Sequence, residues 1–203
     1  MKVESEPEPA SRPYHKKARA EAERATGEAI LDAAFAAFGH ETFDRVTLQQ
    51  IAEDAGVTVQ TVIRRFGSKE ELFQALAARE RPRILASRGL ADGEGIEAAL
   101  RALIKHYEDD GDTVLNFIAQ ESRVPLVSEL VQEGREAHRA WVKRHCAPLF
   151  SGVDAADREE LLYAAISATD VYTWKLLRRD RGLEAPRVHA VMMRILNGLK
   201  RRD

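Results

Sequence analysis

An all-α fold is predicted for this chain of 203 residues, and three observations predict it. Apolar residues recur at helical spacing, most cleanly in the stripe Val188, Val191, Met192, Ile195, Leu196, Leu199. No segment alternates apolar and polar residues over a useful strand length. Helix-start signals recur as well: Thr47 with Gln50, and Ser68 with Glu71, both match a capping box.

The elements follow in order. Residues 1–13 are rich in Glu, Pro and Ser and lack periodicity, which predicts disorder. Ile30, Leu31, Ala34, Phe35 and Phe38 then define a first helix of about four turns, with Gly39 as its C-cap. Thr47 opens a short helix over 48–54, and Gly56 stands where a tight turn needs positive φ. Thr58 caps another short helix ending near Phe66 and Gly67, and Ser68 opens a helix that Pro82 should end or kink.

After a turn at Ala91-Asp92-Gly93, Ile96, Leu100, Leu103 and Tyr107 mark a helix that stops before Gly111. Val114, Phe117 and Ile118 mark a short second one. Pro125 suits the first turn of a long third helix through Trp141 toward Leu149. A fourth runs from Asp154 through Thr173, and the stripe from Val188 makes the last.

Composition excludes several classes. Apolar residues at 44% and charged ones at 32% read as soluble and globular. The longest apolar run, AAFAAF at 33–38, is far short of the roughly 20 residues of a membrane helix. The N-terminus lacks the apolar core of a secretory signal, so a cytoplasmic chain without membrane partners is expected. A lone Cys146 forms no internal disulfide, and no Cys/His spacing resembles a metal site, so neither metal nor cofactor is expected. His145 and Cys146 point about 100° apart on a helix, so they do not form a nucleophile pair. His106 and His138 read as ordinary surface or core histidines, and no catalytic group is assigned.

Charge placement says more than charge balance. The chain is at −2, and residues 12–90 carry 13 Lys/Arg against 11 Asp/Glu. Yet no acid occurs from 55 to 69, where Arg64, Arg65 and Lys69 fall. Phosphate contacts need local cations rather than a basic protein. Helix, glycine turn, helix is the helix-turn-helix pattern, whose second helix enters the major groove of DNA. Val59, Gln60, Thr61, Ile63 and Arg64 occupy that surface, with Val62 and Phe66 on the opposite side. Gln pairs bidentately with adenine, Arg with guanine, and Val, Ile or Thr methyls meet thymine. Lys69, at a helix start, suits a phosphate, and the Thr47 hydroxyl a second one.

Residues 26–73, from ATGEAILDAAFAAFG through VTLQQIAEDAGVTVQTVIRRFGSKEELF, resemble the N-terminal domain of TetR-family transcriptional regulators. By that resemblance Thr47 and Lys69 fall on phosphate-contacting positions, and Val59, Gln60 and Thr61 on the base-reading helix. Ile63 replaces the family's usual tyrosine and Arg65 its frequent histidine, which removes a hydroxyl and adds a fixed charge. The resemblance implies an N-terminal arm over 1–20 and a three-helix helix-turn-helix domain over 21–68. A larger C-terminal effector-binding and dimerisation domain over 69–203 would complete the chain. The implied function is a homodimeric repressor, released from a palindromic operator by a small-molecule effector.

An apolar or aromatic effector would meet Tyr107, Phe117, Trp141 and Trp174 if these rings converge. Val188, Val191, Met192, Ile195 and Leu199 would form the dimer interface. The competing class is a helical enzyme or small-molecule-binding protein whose N-terminus only resembles a DNA reader.

Overall fold

The structure, a computed structural model, describes residues 12–88 and 95–199. Among these residues the architecture is helical without a strand, as expected: α1 (Arg12–His40), α2 (Leu48–Asp54), α3 (Val59–Phe66) and α4 (Lys69–Arg88) come first. Then follow α5 (Ile96–Ile118), α6 (Pro125–His145), a 3₁₀ turn (Ala147–Phe150), α7 (Ala155–Thr169), α8 (Val171–Lys175), a π-helical turn (Leu176–Asp180) and α9 (Ala185–Gly198). None of these helices is long and apolar enough to cross a membrane.

Local capping sets the N-terminal helices. Thr47 Oγ1 accepts the N–H of Gln50 at 3.1 Å, and Thr58 Oγ1 accepts that of Thr61 at 3.3 Å. Ser68 and Glu71 form the full reciprocal box, Ser68 N–H to Glu71 at 2.8 Å and Glu71 N–H to Ser68 Oγ at 3.1 Å. The Ser68 backbone N–H holds the Glu71 carboxyl below its ordinary pKa. Between α2 and α3 the chain makes a Schellman turn, with Val57 N–H bonding Ala52 carbonyl at 2.9 Å and Gly56 N–H bonding Glu53 carbonyl at 3.1 Å. Gly56 sits at φ 66°, where a side chain would be strained.

Several boundaries differ from the sequence reading. The arm expected over 1–20 is helical from Arg12 onward, because α1 extends its alanine-rich run well ahead of the core; residues 1–11 and the turn at 91–93 lie outside the described residues. Helix α4 continues through Pro82 to Arg88. It packs against α1, α5 and α6, and this support outweighs one lost backbone bond.

Helix α5 runs unbroken through Gly111. A Cβ there would come within 2.6 Å of the Trp174 ring, so the glycine is a socket for that indole rather than a stop signal. Gly in a helix costs about 1 kcal/mol, less than the roughly 2–3 kcal/mol of burying a large apolar side chain. The helix expected from Asp154 through Thr173 breaks at Asp170. Its extended backbone and Oδ1, accepting the N–H of Tyr172 at 2.8 Å, start α8 instead.

Two apolar cores result. The first gathers Ile30, Ala34, Phe38, Val46, Ile51 and Val62 with Leu72, Phe73 and Leu76 of α4 and Val127 of α6. A boundary at 68/69 therefore cuts through packed side chains. The second holds Leu100, Leu103, Tyr107, Val142, Trp174, Val188, Met192 and Leu196. Polar contacts tie α4 to both sides. Arg79 donates to Asp32 of α1 at 2.7 Å, and Arg83 donates to Asp110 of α5 at 3.1 Å. Asp110 also lies 3.2 Å from Nδ1 of the buried His106.

Candidate DNA interface

The geometry of α3 follows from its period. Val59, Val62 and Phe66 share the face turned to the first core, and Val62 is fully buried. Gln60, Ile63 and Arg64 stand at i, i+3, i+4 on the opposite face and are exposed, Ile63 to 42%. Val59, expected among the base-reading residues, is half-buried because it belongs to the core-facing row. Thr61 is half-buried beside Thr58, their hydroxyl oxygens 2.9 Å apart.

Arg65 is exposed, and its guanidinium lies 5.8 Å from the Phe66 ring centroid. The same group lies against Gly27 of α1, close enough that a Cβ there would clash with it. A cleft of about 600 Å³ opens here, with Glu23 and Thr26 of α1 on one wall and Thr58, Thr61, Arg64 and Arg65 on the other.

The two expected phosphate anchors are placed differently. Thr47 is exposed at the start of α2; its oxygen accepts from Gln50, which leaves the hydroxyl proton free to donate outward. Lys69 is half-buried. Its ammonium donates to the carbonyls of Phe43 at 2.9 Å and Val46 at 3.1 Å and lies 4.7 Å from the Phe43 ring centroid. An ammonium has three donors, so one remains for another acceptor. Lys69 thus clamps the loop between α1 and α2, a task that its sequence position did not disclose.

The four aromatics expected to line one effector cavity are divided, with Phe117 at the first core and Tyr107, Trp141 and Trp174 in the second. Phe117 packs edge-on to Phe73 in the first core, with ring centroids 5.8 Å apart. Tyr107 and Trp174 lie together in the second, centroids 5.9 Å apart. Because α5 is one helix, ten residues separate Tyr107 from Phe117 by about 15 Å. Trp141 is stacked on His138 at 5.9 Å. A cavity of about 440 Å³ beside α6 and α7 is lined by Lys143, Phe150, Arg158 and Leu162, and by none of the four.

The stripe on α9 is divided as well. Val188, Met192 and Leu196 are buried in the protomer's own second core, Val191 and Leu199 are half-buried, and Ile195 is 42% exposed.

A capped helix, a Schellman turn and a second helix with an exposed Gln/Ile/Arg face define the class: an all-α helix-turn-helix protein. Residues 30–76 match the family described as bacterial regulatory proteins, tetR family, and this N-terminal unit belongs to it. The chain as a whole has the fold of TetR-family transcriptional regulators. A TetR-family regulator from Streptomyces coelicolor superposes with TM-score 0.67 at 18% identity, covering 86% of this chain and 79% of that one. A transcriptional regulator from Rhodococcus sp. Rha1 gives 0.65 at 14% identity, covering 85% and 95%. GusR of Salmonella enterica gives 0.64 at 20% identity, covering 86% and 94%. A search of curated protein sequences finds no match.

Proposed function

We propose that the chain is a homodimeric, cytoplasmic repressor that binds a palindromic operator and leaves it when a small-molecule effector binds the C-terminal helices. The observation that carries the reading is the exposed row Gln60, Ile63, Arg64 on α3, in a stretch from 55 to 69 without an acid. Gln60 and Arg64 read base edges, Ile63 meets a thymine methyl, and Thr47, Arg65 and the remaining Lys69 donor hold phosphates.

Dimerisation uses the last helices. Of the six large apolar side chains exposed among the described residues, Tyr163, Tyr172, Leu176 and Ile195 all fall between α7 and α9. Val191, Ile195 and Leu199 serve the interface, while Val188 and Met192 support it from inside.

Release is a population shift. The effector enters the second core near Trp141, whose buried indole N–H has no hydrogen-bond partner among the described residues and would meet an acceptor on an otherwise apolar molecule. Helix α4 passes the change on, since Arg79 ties it to α1 and Arg83 ties it to α5. Two recognition helices then no longer fit half-sites about one DNA turn apart.

Gel shifts with fragments of the source genome test the reading. A fragment retarded at nanomolar protein, competed by itself and not by bulk DNA, is the expected result. Failure to retard any fragment better than bulk DNA rejects it and favours a helical binding protein or enzyme.

A further inference from the structure

Helix α1 starts 18 residues ahead of Ile30, the first fully buried apolar side chain of the core. Every residue from 17 to 25 is exposed, so this stretch presents no apolar face to the domain. A helix that is polar all round gains nothing from burial. Alanine at alternate positions, the Arg19–Glu23 ion pair at 3.1 Å and continuity with an already nucleated helix keep it formed.

Its charge is at odds with the rest of the chain. Residues 12–25 carry Arg12, Lys16, Lys17, Arg19 and Arg24 against Glu21 and Glu23, a balance of +3 in a protein at −2. Its place is equally particular. Glu23 and Thr26, where the overhang meets the domain, face Thr58, Thr61 and Arg64 across the cleft beside the recognition helix. Arg65 against Gly27 fixes α1 to α3 at that point, so the overhang keeps a set position relative to the reading face.

From these facts we infer that the overhang Arg12–Ala25 is a second DNA-binding element, which follows the phosphate backbone outside the bases read by α3. The inference rests on the proposed DNA-binding function and extends it. Fourteen residues of helix span about 21 Å, or about six nucleotides along one strand at about 3.4 Å each. Phosphate contacts carry no sequence information, so the overhang adds affinity and salt dependence without adding sequence preference. It also lengthens the DNA each protomer needs beyond its half-site.

The test compares wild type, the triple variant Lys17→Gln/Arg19→Gln/Arg24→Gln, and Gln60→Ala. The three cations are exposed, so the triple variant should fold; circular dichroism checks this. Binding is measured at several salt concentrations on two duplexes of one retarded fragment. One ends at the half-sites, and the other carries about eight further base pairs at each end.

On the long duplex the triple variant should lose tenfold or more at about 0.1 M salt, and its salt slope should fall by about 2–3 per protomer. On the short duplex it should match wild type, and its base preferences should be unchanged. Equal affinity and equal slope for wild type and triple variant on the long duplex overturn the inference, and the DNA-binding reading survives if Gln60→Ala still weakens operator binding. If wild type itself binds neither duplex, both fall together.

Discussion

The side-chain oxygen of Gln120 accepts the backbone N–H of Phe43 at 2.7 Å, joining the end of α5 to the loop before the reading head. Gln120 is 2% exposed, and its amide nitrogen donates to the Asn116 carbonyl at 2.9 Å. Asn116 in turn donates to the carbonyls of Phe38 and Glu41 at 3.2 and 3.0 Å, closing the end of α1 from outside. Gln120→Ala strands the buried Phe43 N–H, which costs about 1–3 kcal/mol. Urea unfolding should show that loss, and an unchanged midpoint would mean that the bond carries no stability.

Lys69 and Gln60 should separate anchoring from reading. Lys69→Ala removes two charge-assisted bonds to loop carbonyls, so it should cost about 1.5–3 kcal/mol of stability. It should also weaken DNA binding similarly on every sequence. Gln60→Ala should leave stability unchanged, cost about 1–3 kcal/mol on the operator and relax preference at one base pair of each half-site. An operator library at two salt concentrations reads both. A preference changed by Lys69→Ala and untouched by Gln60→Ala would reverse the assignment.

Ile195, exposed on α9 while its neighbours Met192 and Leu196 are buried, isolates dimerisation from folding. Ile195→Asp should give a folded monomer with weakened DNA binding, because each half-site then binds alone. Sedimentation that finds wild type monomeric at micromolar concentration would reject the dimer.

Asp110 sets an acid limit. Burial raises its pKa, but the hydrogen bonds and charges of His106 and Arg83 outweigh burial and hold it below the ordinary value of 3.8. A depressed folded pKa stabilises the fold above the unfolded value of about 3.9, and that stability is lost as pH falls through the folded value. Wild type should therefore lose urea resistance between about pH 5 and pH 3 more steeply than Asp110→Asn. Parallel profiles would show that the Asp110 contacts add nothing to folding.

Cys146 should be inert. It is 1% exposed, and burial pushes its thiol pKa from 9.0 up to about 12, so little thiolate exists at pH 8. Iodoacetamide at pH 8 should label it only when urea unfolds the chain. Rapid labelling of the native protein would show that the second core opens readily.

What the sequence by itself determined is whatever is closed within one helical turn. The Thr47, Thr58 and Ser68–Glu71 caps, the Gly56 turn, and the exposed face of Gln60, Ile63 and Arg64 opposite Val62 rest on relations between residues no more than five apart. Periodicity and side-chain chemistry specify such contacts before any other part of the chain arrives.

Tertiary structure decided the rest, because its partners lie far apart in the chain. Gly111 reads as a stop until Trp174, 63 residues later, occupies the space beside it. Pro82 reads as an end or a kink, and with α1, α5 and α6 packed around it α4 runs on to Arg88. Lys69 reads as a phosphate ligand alone until the carbonyls of Phe43 and Val46 claim two of its three donors and make it a clamp on the loop as well. The stripe on α9 reads as one interface until the second core takes Val188, Met192 and Leu196 and leaves Ile195 outside. A local pattern states which side chains seek burial or a partner. Only the packed chain states which partner reaches them first.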